Sequence, residues 1–335
     1  SSEGKNILYR LIHTGQHYDK NMSDSFFEQL GIPHPDANLE SGGGSQAEQT
    51  ASIMVRFEKE LLDNPTDLVL VVGDVTSTMA CSIVAKKLCI KVAHVEAGIR
   101  SGDMSMPEEI NRIVTDSISD YFFTTTITAN ESLIRAGVKA ERIFLVGNTM
   151  IDTLLTNRNR FVKPEIWDRA RLVNKEYFVL TLHRPANVDA ENGLKVLMNE
   201  IIEASKGLPV IFPVHPRTAK NLVSIGLEAP NLFMVDPMSY LEFNYLVDHS
   251  KCVITDSGGI TEETTVMLVP CITLRDNTER PETVTIGTNE LIGTDPMAIK
   301  PTLEKLFSGN WKKGGIPPLW DGKTADRIVE NLLKL

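Results

Sequence analysis

At four places in this chain, charged and polar groups gather directly after short apolar runs. In Val72-Gly73-Asp74-Val75-Thr76, a carboxylate separates a strand-like run from a helix-like one. Asp and Thr also cap helix N-termini, so Asp74 reads as a cap or as a catalytic carboxylate. In His94-Val95-Glu96-Ala97-Gly98-Ile99-Arg100, Glu96 closes an apolar run, where an unpaired carboxylate costs several kcal/mol. An ion pair with Arg100 or Arg112 would satisfy it, and so would a role on a ligand that the neighbouring glycines let approach. In Pro107-Glu108-Glu109-Ile110-Asn111-Arg112, proline suits the first helical position and the glutamates complement the helix dipole. The dipole does not account for Asn111 and Arg112 on the following positions. The fourth place is Thr181-Leu182-His183-Arg184, matched one unit later by Val214-His215-Pro216-Arg217. The chain has only seven histidines. Imidazole beside guanidinium can hold phosphate and exchange a proton near neutral pH.

A fifth segment is shaped for an anion. Thr255-Asp256-Ser257-Gly258-Gly259-Ile260-Thr261-Glu262-Glu263 ends an apolar run and opens a helix on two glycines. The free N–H groups of such a first turn, with a serine hydroxyl, accommodate phosphate, and a carboxylate one turn on can accept from ribose hydroxyls. The next apolar run ends in Arg275-Asp276-Asn277-Thr278-Glu279-Arg280-Pro281-Glu282, which adds two arginines. Neither a G-x-G-x-x-G fingerprint nor a Walker A loop occurs.

The elements needed to position these groups are short β-branched runs alternating with helical periods, the pattern of parallel sheets covered by helices. Strands are expected at Ile7–His13, Leu68–Val72, Val92–Val95, Tyr121–Thr124 and Ile143–Val146. A second series is expected at Tyr177–Leu182, Val210–Val214, Leu232–Val235, Cys252–Thr255, Cys271–Leu274 and Glu290–Ile292. Helices are expected between them, among others near Asn21–Leu30, Gln46–Leu62, Pro107–Ser119, Tyr240–Val247 and Thr261–Leu268, with a last amphipathic one at Thr324–Leu333. Val162-Lys163-Pro164-Glu165 breaks the rhythm. The fold class is therefore α/β, with an N-terminal domain over 1–162 and a C-terminal one over 163–335. Ligands of open α/β sheets bind beyond the carboxyl ends of the strands, so the site is expected in the cleft between the domains.

With 335 residues the chain has the length of two domains, and its charged fraction of 23% is that of a globular protein. A net charge of −10 disfavours nucleic acid as a partner, and no apolar run reaches the length of a membrane span. Cys81, Cys89, Cys252 and Cys271 form no CxxC pair, and Cys89, Cys252 and Cys271 sit in apolar segments that suit small buried thiols, which fits a reducing cytoplasm.

Taken together, Gly73-Asp74, His94-Val95-Glu96-Ala97-Gly98, Pro107 to Arg112, Gly147-Asn148-Thr149, His183-Arg184, Asp256 to Gly259 and Glu279 to Glu282 resemble the non-hydrolysing UDP-N-acetylglucosamine 2-epimerase family, as does Thr14-Gly15-Gln16-His17. The resemblance covers nearly the whole chain in order. It implies two Rossmann-like domains of GT-B type and a UDP-sugar substrate epimerised at C2 by loss and re-addition of UDP through a 2-acetamidoglucal. It implies no metal, no redox cofactor and a homodimer. Asp74, Glu96, Glu108 and His183 match the catalytic groups. Arg112, Arg184, His215, Phe243, Ser257, Gly258, Gly259, Glu263 and Arg280 match the substrate-binding ones, with Phe243 beside uracil. Some members bind a second substrate molecule as activator, partly through residues matching Gln16 and His215, with His17 adjacent; Asp19 stands where that site usually carries glutamine.

Three departures accompany the resemblance. The family's opening strand and Gly-[TA]-Arg-Pro-[EQ] turn do not precede Ser1, so the sequence is expected to lack its first βα unit. Pro185-Ala186-Asn187 follows His183-Arg184 where many members have another arginine. Ser105-Met106-Pro107 resembles relatives acting on UDP-2,3-diacetamido-glucuronate, which leaves the substituents at C3 and C6 open. The last helix is expected to pack back on the N-terminal domain. A UDP-sugar-dependent GT-B glycosyltransferase and a non-catalytic UDP-sugar-binding relative are the alternative readings.

Overall fold

The computed structural model describes residues 7–15, 29–183, 191–214, 219, 222 and 226–335. The chain divides into two compact units, Ser1–Asp152 with Pro318–Leu335, and Thr153–Pro317.

The first unit begins with a two-stranded parallel pair, β1 (Ile12–His13) and β2 (Ala37–Asn38). The strand expected over Ile7–His13 is thus confined to its last two residues. Leu8 is 96% exposed and Tyr9 73%, so these apolar residues have no sheet to pack on among the described residues. β2 was not expected, and the helix expected near Asn21–Leu30 lies mostly outside the described residues. Helix α1 (Gln46–Asp63) starts on a capping box in which Ser45 and Glu48 satisfy each other's backbone N–H. There follow β3 (Leu68–Val72), α2 (Thr76–Lys87), β4 (Lys91–Ala97), α3 (Pro107–Ile118), β5 (Tyr121–Thr124), α4 (Ile127–Arg135) and β6 (Ile143–Leu145). The strands pair in parallel in the order β3-β4-β5-β6.

Alternation along the strands sorts the two faces of this sheet. Val69, Val71 and Val92 pack with Ile53, Phe57 and Leu61 of α1 and Ala80, Cys81 and Val84 of α2. Ala93, Val95 and Phe123 pack with Val146 and with Ile328 of the C-terminal helix, Thr324–Leu332. The segment leading to that helix is pinned in the same unit. The indole of the buried Trp320 donates to the Thr125 carbonyl, and Arg327 donates to the carbonyl of Val146. Gly147 must be glycine here, with φ at 104° and an added Cβ falling 2.2 Å from the Leu319 carbonyl oxygen.

Helix α5 (Thr149–Asn157) crosses the boundary between the units, and α6 (Glu165–Arg169) opens the second. It continues with β7 (Phe178–Thr181), α7 (Glu191–Ala204), β8 (Val210–Pro213), β9 (Leu232–Val235), α8 (Tyr240–His249), β10 (Cys252–Thr255), α9 (Gly258–Met267), β11 (Cys271–Thr273), α10 (Pro281–Thr285), β12 (Asn289–Leu291) and α11 (Ile299–Phe307). Among the described residues its sheet has six parallel strands in the order β9-β8-β7-β10-β11-β12. That is the doubly wound order 3-2-1-4-5-6, whose strand direction of growth reverses between β7 and β10. Phe178, Leu180, Ile254 and Ile272 from the strands meet Leu194, Met198 and Ile201 of α7 and Ile299 and Leu303 of α11 in one core. The chain is thus an α/β protein built from parallel sheets flanked by helices. No helix among the described residues is long and apolar enough to cross a membrane.

Candidate functional site

In the first unit, Asp74 follows β3, Glu96 lies in β4, and Glu108 with Arg112 lies on the first turns of α3. Asp74 does not cap α2: the N-cap position is held by Val75, and no side chain makes a cap bond. Its carboxylate instead accepts from Nε of Arg112 at 3.0 Å and Nη2 at 2.6 Å, while Asn111 donates to its backbone carbonyl at 2.8 Å. So the residues that the helix dipole left unexplained hold the turn after β3. Arg112, 6% exposed, reaches Glu109 with its remaining nitrogen at 2.9 Å. Glu109 also accepts the backbone N–H of Ser101 and Gly102, which fixes the loop after β4. Burial works to raise the Glu109 carboxyl, but these backbone donors and Arg112 hold it below the usual value.

Glu96 has φ at 72°, a left-handed conformation that a glutamate rarely adopts, and the β4–β5 register shifts between Val95 and Ala97. The bulge re-aims its side chain, a device common beside functional sites. The carboxylate ends next to the turn after β3, since a Cβ added to Gly73 would lie 3.6 Å from Glu96 Oε2. Arg100 pairs with Asp116 at 2.6 Å. Asp116 is buried and also meets Nδ1 of the fully buried His94 at 2.7 Å, and the other ring nitrogen meets the Gly73 carbonyl at 2.8 Å. Burial opposes ionisation of Asp116, but His94 and Arg100 outweigh it and hold the carboxyl below its ordinary value. His94 and Asp116 were not singled out from the sequence. Their signal was polar identity inside an apolar strand and on the buried face of a helix.

In the second unit, His183 follows β7, and Ser257, Gly258 and Gly259 follow β10, on either side of the strand-order reversal. Asp256 joins the two strand ends. Its carboxylate, 1% exposed, accepts the His183 backbone N–H at 3.0 Å with each oxygen and lies 3.7 Å from the imidazole Nδ1. The imidazole itself is 68% exposed. Ser257 is the N-cap of α9, but its side chain makes no cap bond. The first-turn N–H groups of a helix have no intrahelical acceptor, so this end is built to receive an anion.

The two arginines after β11 are committed to carboxylates. Arg275 forms a two-pronged pair with Glu279, 2.9 Å on each side, and Arg280 reaches Glu262 at 2.7 Å. The Arg275–Glu279 pair lies against Gly258, within 3.7 Å of where a Cβ would stand. Glu263 is buried on α9 and accepts from the Tyr240 hydroxyl at 2.9 Å. Burial pushes its carboxyl up to about 7, against the opposing effect of Tyr240 and Asn244. Phe243 is half-buried on α8, between those two residues in sequence. Gln16, His17, Arg184 and His215 lie outside the described residues.

The first unit therefore gathers Asp74 and Arg112 in one hydrogen-bonded group, with Glu96 beside the same turn and Glu108 one helical turn before Arg112. The second gathers His183 and the Ser257–Gly259 turn through Asp256. Among the described residues, no group of three or more His, Cys, Asp or Glu side chains is placed to hold a metal. A family model described as UDP-N-acetylglucosamine 2-epimerase matches residues 2–333. A UDP-N-acetylglucosamine 2-epimerase of Methanocaldococcus jannaschii is 42% identical, over 98% of this chain and 92% of that protein. A UDP-2,3-diacetamido-2,3-dideoxy-D-glucuronate 2-epimerase of Pseudomonas aeruginosa is 39% identical, over 97% of this chain and 91% of that protein. Among solved structures, the Methanocaldococcus jannaschii UDP-GlcNAc 2-epimerase in complex with UDP-GlcNAc and UDP superposes with a TM-score of 0.86, at 42% identity over 99% of this chain and 93% of that one.

Proposed function

We propose, from the premise that this chain belongs to the UDP-N-acetylglucosamine 2-epimerase family, that it interconverts UDP-N-acetylglucosamine and its C2 epimer without hydrolysing either. The enzyme is an isomerase. The observation that carries the reading is the pairing of His183 with an anion-receiving helix start at the strand-order reversal of the second unit.

The reaction balances without an oxidant or reductant. A base takes the C2 proton, the C–H electron pair becomes the C1–C2 double bond, and the C1–O bond breaks to release UDP. The resulting 2-acetamidoglucal takes a proton at C2 on the opposite face, and a diphosphate oxygen attacks C1 to restore the nucleotide sugar. The C2 proton is a weak acid, so the departing diphosphate must be stabilised while proton transfer proceeds. In this reading Asp74, Glu96 and Glu108 are the carboxylates at the reacting carbons, with Arg112 orienting Asp74. His183 is the catalytic imidazole. Ser257, Gly258 and Gly259 receive the diphosphate with Arg184 and His215, Glu263 accepts from the ribose, Phe243 packs on uracil, and Arg280 stands near the sugar.

The first unit supplies carboxylates and the second grips the nucleotide, so the chain's two domains divide the labour. Gln16 and His17 belong to an activator site for a second substrate molecule. The protein works as a homodimer, and its four free cysteines, three buried and Cys89 exposed where a buried thiol was expected, are in keeping with a reducing cytoplasm. The Ser105-Met106-Pro107 turn makes the 2,3-diacetamido uronate the second nucleotide sugar to try.

Asp74→Asn and His183→Ala test the assignment of the acid–base groups. Each is expected to slow formation of the UDP-linked C2 epimer by about 10²–10⁴-fold with the circular dichroism spectrum unchanged. Wild-type turnover by either variant removes that residue from the mechanism.

A further inference from the structure

The start of α8, like that of α1, is fixed by a capping box. Ser239 accepts from the Glu242 backbone N–H, and Glu242 accepts from both the backbone N–H and the hydroxyl of Ser239. This capping box sets the direction of the first turn and of the residues that leave it. Tyr240 and Asn244 are four residues apart and so share one face of the helix. Both address Glu263 on α9. The Tyr240 hydroxyl donates to Oε1 at 2.9 Å, and Asn244 lies close enough to favour the ionised carboxyl.

Asn244 is 0% exposed, and neither its Nδ2 nor its Oδ1 reaches strict hydrogen-bonding geometry among the described residues, although its amide is near enough to Glu263 to donate to that carboxyl. A buried amide whose bonds are incompletely made costs about 1–3 kcal/mol, and a leucine of similar shape would avoid that cost. The carboxyl it faces is itself an acid buried between two helices. Packing alone favours neither group.

We propose that Tyr240 and Asn244 are positioning residues that aim the Glu263 carboxyl at the ribose hydroxyls of a bound uridine nucleotide. This rests on the reading that the second unit binds such a nucleotide. Tyr240 holds one carboxyl oxygen, which leaves a defined direction for the other. Asn244 supplies a buried amide that completes its bonds when the carboxyl settles onto the ribose. Phe243 leaves the same helix between them, so α8 would set base and sugar recognition together.

The test is calorimetric binding of UDP and of 2′,3′-dideoxy-UDP, which lacks the hydroxyls, to the full chain and to its Tyr240→Phe and Asn244→Leu variants. The full chain is expected to prefer UDP. Tyr240→Phe should weaken UDP about tenfold, the loss of one hydrogen bond to a charged group, and leave dideoxy-UDP within about twofold. Asn244→Leu should narrow the same preference, and gives a second measurement if the first variant folds poorly. A full chain that does not distinguish the two ligands overturns the ribose role of Glu263 itself. A full chain that prefers UDP, with variants that keep the preference or weaken both ligands equally, overturns the positioning role alone.

Discussion

At the end of β3, Asp74 accepts two nitrogens of Arg112, and Arg112 spends its third on Glu109. A guanidinium held on both sides has little rotamer freedom left, so Asp74 is oriented before any substrate arrives. Glu263 is set differently, because its burial is opposed by a phenol and an amide and by no cation among its principal influences. Its folded-state value near 7 stands above the ordinary 4.5. Between those values the folded state binds more protons than the unfolded one, so stability falls as pH rises from about 4.5 through 7. Glu263→Gln removes that loss. The variant is expected to melt higher than the wild type at pH 8, by up to about 3 kcal/mol of stability, with the gap closing near pH 5. Thermal melts at the two pH values check this, and a gap that widens toward pH 5 has the wrong sign.

The elements place these groups with little help from loops. β4 delivers Glu96 through a bulge, α3 delivers Glu108 and Arg112 from one face, and β7 and β10 deliver His183 and the glycine turn side by side. The C-terminal helix matters here although it carries no candidate site residue. Ile328, 7% exposed, packs on the same face of the sheet as Val95, one residue before Glu96. Ile328→Ala is expected to cost about 2–4 kcal/mol in urea unfolding, and a cost below about 1 kcal/mol would mean that the helix is not part of that core. Long apolar strands such as Leu68–Val72 and Cys252–Thr255 were legible to the residue, because β-branched runs bounded by glycine or a charge have few other homes. Two-residue β2 and five-residue α6 and α10 were not, since none is long enough to show a repeating pattern, and α5 was not anticipated either. The places of Asp74, His183 and the Ser257–Gly259 turn directly after strands were legible in the sequence. Their partners were not. Asp256 meets His183 across 73 residues and Arg112 meets Asp74 across 38, and such pairings exist only once strands are ordered in a sheet.

Across the whole molecule, a net charge of −10 faces a substrate that is itself an anion. In the proposed reading, net charge offers no long-range attraction for a nucleotide sugar, and recognition would rest on local donors: the first turn of α9 and the imidazole of His183. In that reading the same donors would stabilise the diphosphate as it leaves, which ties binding to chemistry. In the proposed reaction the C2–H bond is broken and remade while the sugar is separated from UDP. Proton NMR of UDP-N-acetylglucosamine incubated with the protein alone in deuterated water measures this most directly. Deuterium at C2 of both UDP-linked epimers, with no acceptor added, is the predicted result; an unexchanged C2 proton, or release of free sugar in place of the UDP-linked epimer, would contradict it.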